Sequence, residues 1–146
     1  MNSPFWRKHL LIFQAFILIC CTCFAQGNLF QEARTLQREG KFDKAIVTFK
    51  NYLSQPVNQD ALTNQELILH TEALMQLMNT FQSKGEPEAC ISALQEVFAA
   101  SPTLQKQCLR DYYAVLGYTL SRTEKMQEAE ETMMKALTLP LHQATP

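Results

Sequence analysis

A chain of 146 residues, 47% hydrophobic and 18% charged, has the length for one domain with a real core and is too short for two comfortable ones. Its formal net charge is −1, and its basic residues are scattered singly, which excludes a basic field for nucleic acid or a cationic cluster for an anionic membrane surface. Glycine is scarce, at 4 residues, and neither Asn-Gly nor Asp-Gly occurs, so the sequence predicts no β-hairpins and an all-α fold.

Residues 1–25 have the three parts of a secretory signal peptide. Arg7 and Lys8 form a basic start, Leu10 to Phe24 an apolar core, and Cys23-Phe24-Ala25 a cleavage site before Gln26. The apolar run has 15 residues and includes Gln14; a membrane span needs roughly 20. An uncleaved anchor remains the alternative, and would be the chain's one membrane contact. Cys20, Cys21 and Cys23 raise a lipoprotein reading, but Ile19, Cys20 and Thr22 stand where the small residue before a lipidated cysteine is expected. The leader resembles those of Bacteroidetes-type bacteria, in which cleavage before Gln is common. Cleavage leaves 11 basic against 14 acidic residues in an exported, periplasmic or envelope protein.

The first unit begins with Leu29, Ala33 and Leu36 on one helical face, then Gly40 as a break, then Phe42, Ala45, Ile46, Phe49 and Leu53 on a second face before Pro56. In the second, Thr63 and Glu66 form a capping-box pattern ahead of Leu67, Leu74, Met78 and Phe81. Gly85 ends that helix, and Pro87 opens the next, whose apolar face holds Cys90, Ile91, Leu94, Val97 and Phe98. Ser101-Pro102 supplies an N-cap and first-turn proline for the helix after it. The third unit puts Tyr113, Leu116, Gly117 and Leu120 on one face, and Ala129, Met133, Ala136 and Leu137 on another. Six helices in three hairpins are predicted. Across the Ser101 turn, Cys90 and Cys108 differ in height by roughly 7 Å on helices about 8 to 10 Å apart, too far for a disulfide, so both thiols are expected unpaired.

These units resemble the tetratricopeptide repeat: a small residue within helix A, a Gly-aromatic turn, an early Ala in helix B, a large residue four later, another small residue and a closing Pro. The first unit supplies Ala33, Gly40, Phe42, Ala45, Phe49 and Pro56, the second Gly85, Cys90, Leu94 and Pro102, and the third Gly117, Ala129, Met133, Ala136 and Pro140. Ala45, Cys90 and Ala129 are 45 and 39 residues apart, against a family period of about 34. Helix A of the second unit and the start of the third are therefore expected to be extended. The resemblance implies an α-solenoid of about three antiparallel hairpins, a right-handed superhelix over 26–140 with repeats near 28–56, 63–102 and 110–140, followed by a tail, 141–146.

No catalytic constellation is present: HExxH, CxxC, GxSxG and a Gly-rich phosphate loop are all missing, and His70 is the one histidine within the predicted fold. His70 is expected to be structural and Cys90 a small buried hydrophobe. The run Glu128, Glu130 and Glu131 suits the positive start of the last helix and asks for no metal. The methionines are mostly expected in the core or between repeats. No enzyme activity, cofactor, metal or small-molecule substrate is expected.

In the family, ligands lie in a concave groove lined by the A helices. By register the groove residues here are Phe30, Arg34, Gln37 and Arg38, then Met75, Asn79 and Gln82, then Tyr118, Ser121 and Arg122. The arginines suit a carboxylate or acidic peptide and Tyr118 an aromatic contact. The resemblance thus implies a non-catalytic interaction scaffold for a protein or peptide, and the last helix offers a surface for self-association if Met134 and Leu137 face outward. Repeat arrays behind signal peptides also resemble the sensing ends of some bacterial histidine kinases and regulators, so an N-terminal sensor portion of a longer protein is the alternative.

Overall fold

A computed structural model describes residues 28–55 and 63–140; the leader, Pro56 and the tail lie outside them. Helix α1 covers 28–38 and is followed by α2 (Phe42–Ser54), α3 (Asn64–Lys84), α4 (Pro87–Ala100), α5 (Pro102–Gln107), α6 (Leu109–Ser121) and α7 (Met126–Thr138). No strand occurs among the described residues. The fold is all-α and of the helical-repeat type.

Local chemistry sets the helix boundaries. Gly40 and Gly85 have φ of 71° and 73°, the left-handed conformation that turns the chain out of α1 and α3. Thr63 caps α3 by accepting from the Glu66 amide, while the Glu66 carboxylate accepts from the Thr63 amide at 2.8 Å. Pro87 and Pro102 occupy first turns, and Ser101 Oγ accepts from the Leu104 amide.

Among the described residues the helices are seven, one more than the sequence predicts. The chain breaks at Cys108 (φ −116°, ψ 22°) and separates the six-residue α5 from α6. A physical reason lies in α4: Gln105 on α5 donates to the Phe98 and Ala99 carbonyls, at 2.9 and 3.3 Å, satisfying acceptors that the end of α4 leaves open. Helix α5 is thus a cap on α4 rather than an extension of α6. Helix α3, by contrast, is long as expected, at 21 residues.

Each hairpin packs on the next. Lys84 at the end of α3 reaches Asp43 at the start of α2, and Tyr52 near the end of α2 meets His70 in the first half of α3, so α2 and α3 are antiparallel. Cys90 approaches Thr119, and Phe98 stacks on Tyr112 with centroids 4.0 Å apart, which makes α4 and α6 antiparallel as well. With α3 and α4 joined by the Gly85 turn, α3 and α6 run the same way. Two layers result: α1, α3 and α6 on one side, and α2, α4 and α7 on the other. A Lys50–Glu96 ion pair joins α2 to α4 across the second layer.

Burial follows the 3.6-residue period. Helix α3 buries His70, Ala73, Leu74, Leu77, Thr80 and Phe81, a stripe at i, i+3, i+4, i+7 and beyond. Phe30, Phe49, Tyr52 and His70 make a chain of ring contacts through α1, α2 and α3, with centroids 6.2, 5.6 and 5.1 Å apart. Each large side chain so buried contributes about 1.5–3 kcal/mol over leaving it in water. Helices α6 and α7 approach closely at Gly117, where an added Cβ would lie 2.7 Å from Met133 Cγ. Cys90 and Cys108 are buried and unpaired.

Met126 and Met134 are exposed rather than core, while Met75 is exposed as its place among the groove residues requires. Leu137, grouped with Ala136 by periodicity, is 69% exposed and faces outward with Met134. Helix α7 presents Ala129, Thr132 and Ala136 to α6; Leu137 is about 100° round the helix from Ala136 and so leaves the contact.

Candidate functional site

The layer formed by α1, α3 and α6 carries the residues nominated from the sequence, and polar ties fix its register. Arg34 pairs with Glu72 at 3.1 Å, and Gln37 Nε2 donates to Thr80 Oγ1 at 3.0 Å and to the Gln76 carbonyl at 3.4 Å. Both ties climb α1 and α3 together, so these helices are parallel. Thr71 donates to Asp111 at 3.1 Å, binding α3 to α6. Carrying these offsets along the helices sets Arg38 level with Gln76 and Leu77, Tyr118 level with Met78, and Arg122 level with Gln82.

The structure does not bring all ten nominated residues to the surface. Phe30 is a correction: it is 1% exposed and packs on Phe49 and Tyr52. Helix α1 packs on α2 through Phe30 and on α3 through Arg34 and Gln37, and these contacts cover the flank that holds Phe30 and Ala33. Arg34 lies 5.8 Å over the outer face of that ring and is held by Glu72, so its charge is already answered. Gln37 is half-buried and spent on α3. Gln82 is half-buried too, with Nε2 shielded and without a partner among the described residues. Ser121 is half-buried and donates to the Tyr118 carbonyl at 2.7 Å.

Arg38, Met75, Asn79, Tyr118 and Arg122 remain exposed. Arg38 and Arg122 make no ion pair among the described residues. The face therefore keeps two uncompensated guanidiniums beside an exposed ring and thioether.

An open depression of about 710 Å³ runs along α3, lined by Asn64, Leu67, Ile68, Thr71, Glu72, Met75 and Gln76. Ile68, 65% exposed, is the most exposed of its apolar lining residues and was not nominated from the sequence. A signal was available: Ile68 lies two turns before Met75, on the same face.

The titratable groups of the interior are placed for packing. His70 Nδ1 is 2.9 Å from the Glu66 carbonyl and so carries the proton; burial lowers the pKa of the ring below its usual 6.5, and the Glu66 carbonyl and carboxylate oppose this. Burial pushes the Cys90 thiol up to about 11 and Cys108 up to about 12, the latter helped by Asp111. A thiol held that high is protonated at neutral pH and is a poor nucleophile. Among the described residues no group of His, Cys, Asp and Glu could hold a metal ion, and no helix is long and apolar enough to cross a membrane.

Residues 111–141 match the family model described as tetratricopeptide repeat. The match takes in most of α6 and all of α7. No curated protein matches the chain.

Proposed function

We propose that this chain is a non-catalytic interaction scaffold whose α1, α3 and α6 layer binds a segment of another protein. The repeat at 111–141 points to a protein-binding role of this kind. The observation that carries the assignment to this face is the gathering of exposed Met75 and Tyr118 with Arg38 and Arg122, neither of them paired within the described residues. Polar and aromatic groups that the fold does not use for itself are free to make contacts elsewhere. A tagged protein and its Arg38→Glu/Arg122→Glu variant, used side by side to capture proteins from cells that make the chain, test the assignment. Loss of the captured partner in the variant is expected; equal capture overturns the groove reading.

Export is part of the proposal. The basic start, apolar core and small-x-small motif of residues 1–25 support it. N-terminal sequencing of protein recovered from the producing cells is expected to begin at Gln26, and a sequence beginning at Met1 overturns cleavage.

A further inference from the structure

The depression on α3 and the two arginines are offset along one axis, with Arg38 level with the upper end of the depression at Gln76 and Arg122 beyond it. Leu67, Ile68 and Met75 make the lower part apolar, with Thr71 between them. Glu72, at its edge, is neutralised by Arg34. From the level of Thr71, Arg38 is about 9 Å and Arg122 about 16 Å further along, at the helix rise of about 1.5 Å per residue and the register set by the cross-ties. The face is thus apolar at one end and cationic at the other, without an acidic residue of its own paired to either Arg38 or Arg122 among the described residues.

Resting on the groove reading above, we propose that the occupant is an acidic amphipathic helix. Its apolar stripe settles on Leu67, Ile68 and Met75, and its carboxylates, one set beside the upper end of that stripe and one about two turns beyond it, meet Arg38 and Arg122. Helical form follows from the lining. An extended segment would need partners for its own N–H and C=O groups, and the side chains at the floor of the depression offer few; a helix arrives with its backbone already satisfied. Ile68 and Met75 are two turns apart, the spacing at which one helix meets the stripe of another. The sign of the charge follows from the two arginines, which would repel a basic helix in the same pose.

The probe is a fluorescein-labelled Ala-based helix with leucines at i, i+3 and i+7 and glutamates flanking i+7 and two turns beyond it, followed by anisotropy. The wild-type chain is expected to bind it, with affinity falling as salt rises. Ile68→Ser/Met75→Ser is expected to weaken binding about tenfold or more, from the apolar contact removed. Lys in place of the peptide glutamates, or Pro at the centre of the peptide, is expected to abolish it; both changes leave the protein's own fold untouched. Failure of the probe to bind, or equal affinity for the Lys or Pro peptide, overturns the proposal. So does concentration-dependent dimerisation that Ile68→Ser/Met75→Ser abolishes, since a second copy would then own the face. If the captured partner depends on Arg38 and Arg122 but not on Ile68 and Met75, the groove reading stands and this inference falls.

Discussion

Gly117 is where the two helices of the last hairpin come closest, and replacing it with Ala sets two effects of opposite sign against each other. In a helix interior Ala is favoured over Gly by about 1 kcal/mol. Against this, the added methyl would lie 2.7 Å from Met133 Cγ, 3.1 Å from the Met133 amide nitrogen and 3.4 Å from the Ala129 carbonyl oxygen. The side-chain contact can be relieved by a rotamer change, but the backbone contact requires α7 to move. Overpacking of this kind costs about 1–3 kcal/mol, so Gly117→Ala is expected to destabilise by about 1 kcal/mol net. Urea denaturation followed by far-UV circular dichroism measures it, as a lower midpoint with unchanged slope. Adding Met133→Ala removes the nearer obstruction, so the double variant should be less destabilised than the sum of the two single changes. Stabilisation by about 1 kcal/mol in Gly117→Ala, the outcome of helix propensity alone, would refute the claim that this contact limits the approach of α6 to α7.

Other outcomes follow from the caps, the buried imidazole and the thiols. Thr63→Ala removes the acceptor for the Glu66 amide and is expected to cost about 1 kcal/mol, with faster amide exchange confined to the first turn of α3 beneath the depression. His70 has a folded pKa below its unfolded 6.5, so the unfolded chain takes up the proton first and stability falls as pH drops below about 6.5. His70→Gln should flatten that part of the pH–stability curve relative to wild type; parallel curves between about pH 7.5 and 5.5 would show that the ring ionises freely in the fold. Cys90 and Cys108, buried and pushed up to about 11 and 12, are expected to resist iodoacetamide near neutral pH in the native protein and to react in urea. Rapid native alkylation of either would contradict the packing described.

Much of the local structure was legible in the sequence because it depends on a few adjacent residues. The breaks at Gly40 and Gly85, the capping box at Thr63 and the Ser101-Pro102 start are each written in side chains that act within one turn. Small residues at Ala45, Cys90, Gly117 and Ala129 are buried where helices meet. What escaped depends on neighbours remote in sequence. Phe30 looked groove-facing because Leu29, Ala33 and Leu36 already supplied one apolar stripe; α1 is covered on two flanks, and the second flank is set by α2 and α3. Ile68 escaped because its face holds Thr71 and Glu72 between the apolar positions, which dilutes the period. The break at Cys108 has neither Gly nor Pro to announce it and reflects the need of α4 for acceptor-satisfying partners.

The ties between the helices of the candidate binding layer are polar and partly buried: Arg34 to Glu72, Gln37 to Thr80, Thr71 to Asp111. The contacts behind them, from Phe49 and Leu53 through Leu74 to Leu94 and Leu120, are fully apolar and buried. Ion pairs and hydrogen bonds of the first kind are worth about 1 kcal/mol or less each and can be exchanged for water, whereas separating the second kind opens cavities. The array is therefore stiff along its spine and compliant along its inner edge, like a hinged strip that bends toward one side. Small tilts of neighbouring hairpins would therefore cost less at the candidate face than in the core, which would make curvature a variable that an occupant of that face could set.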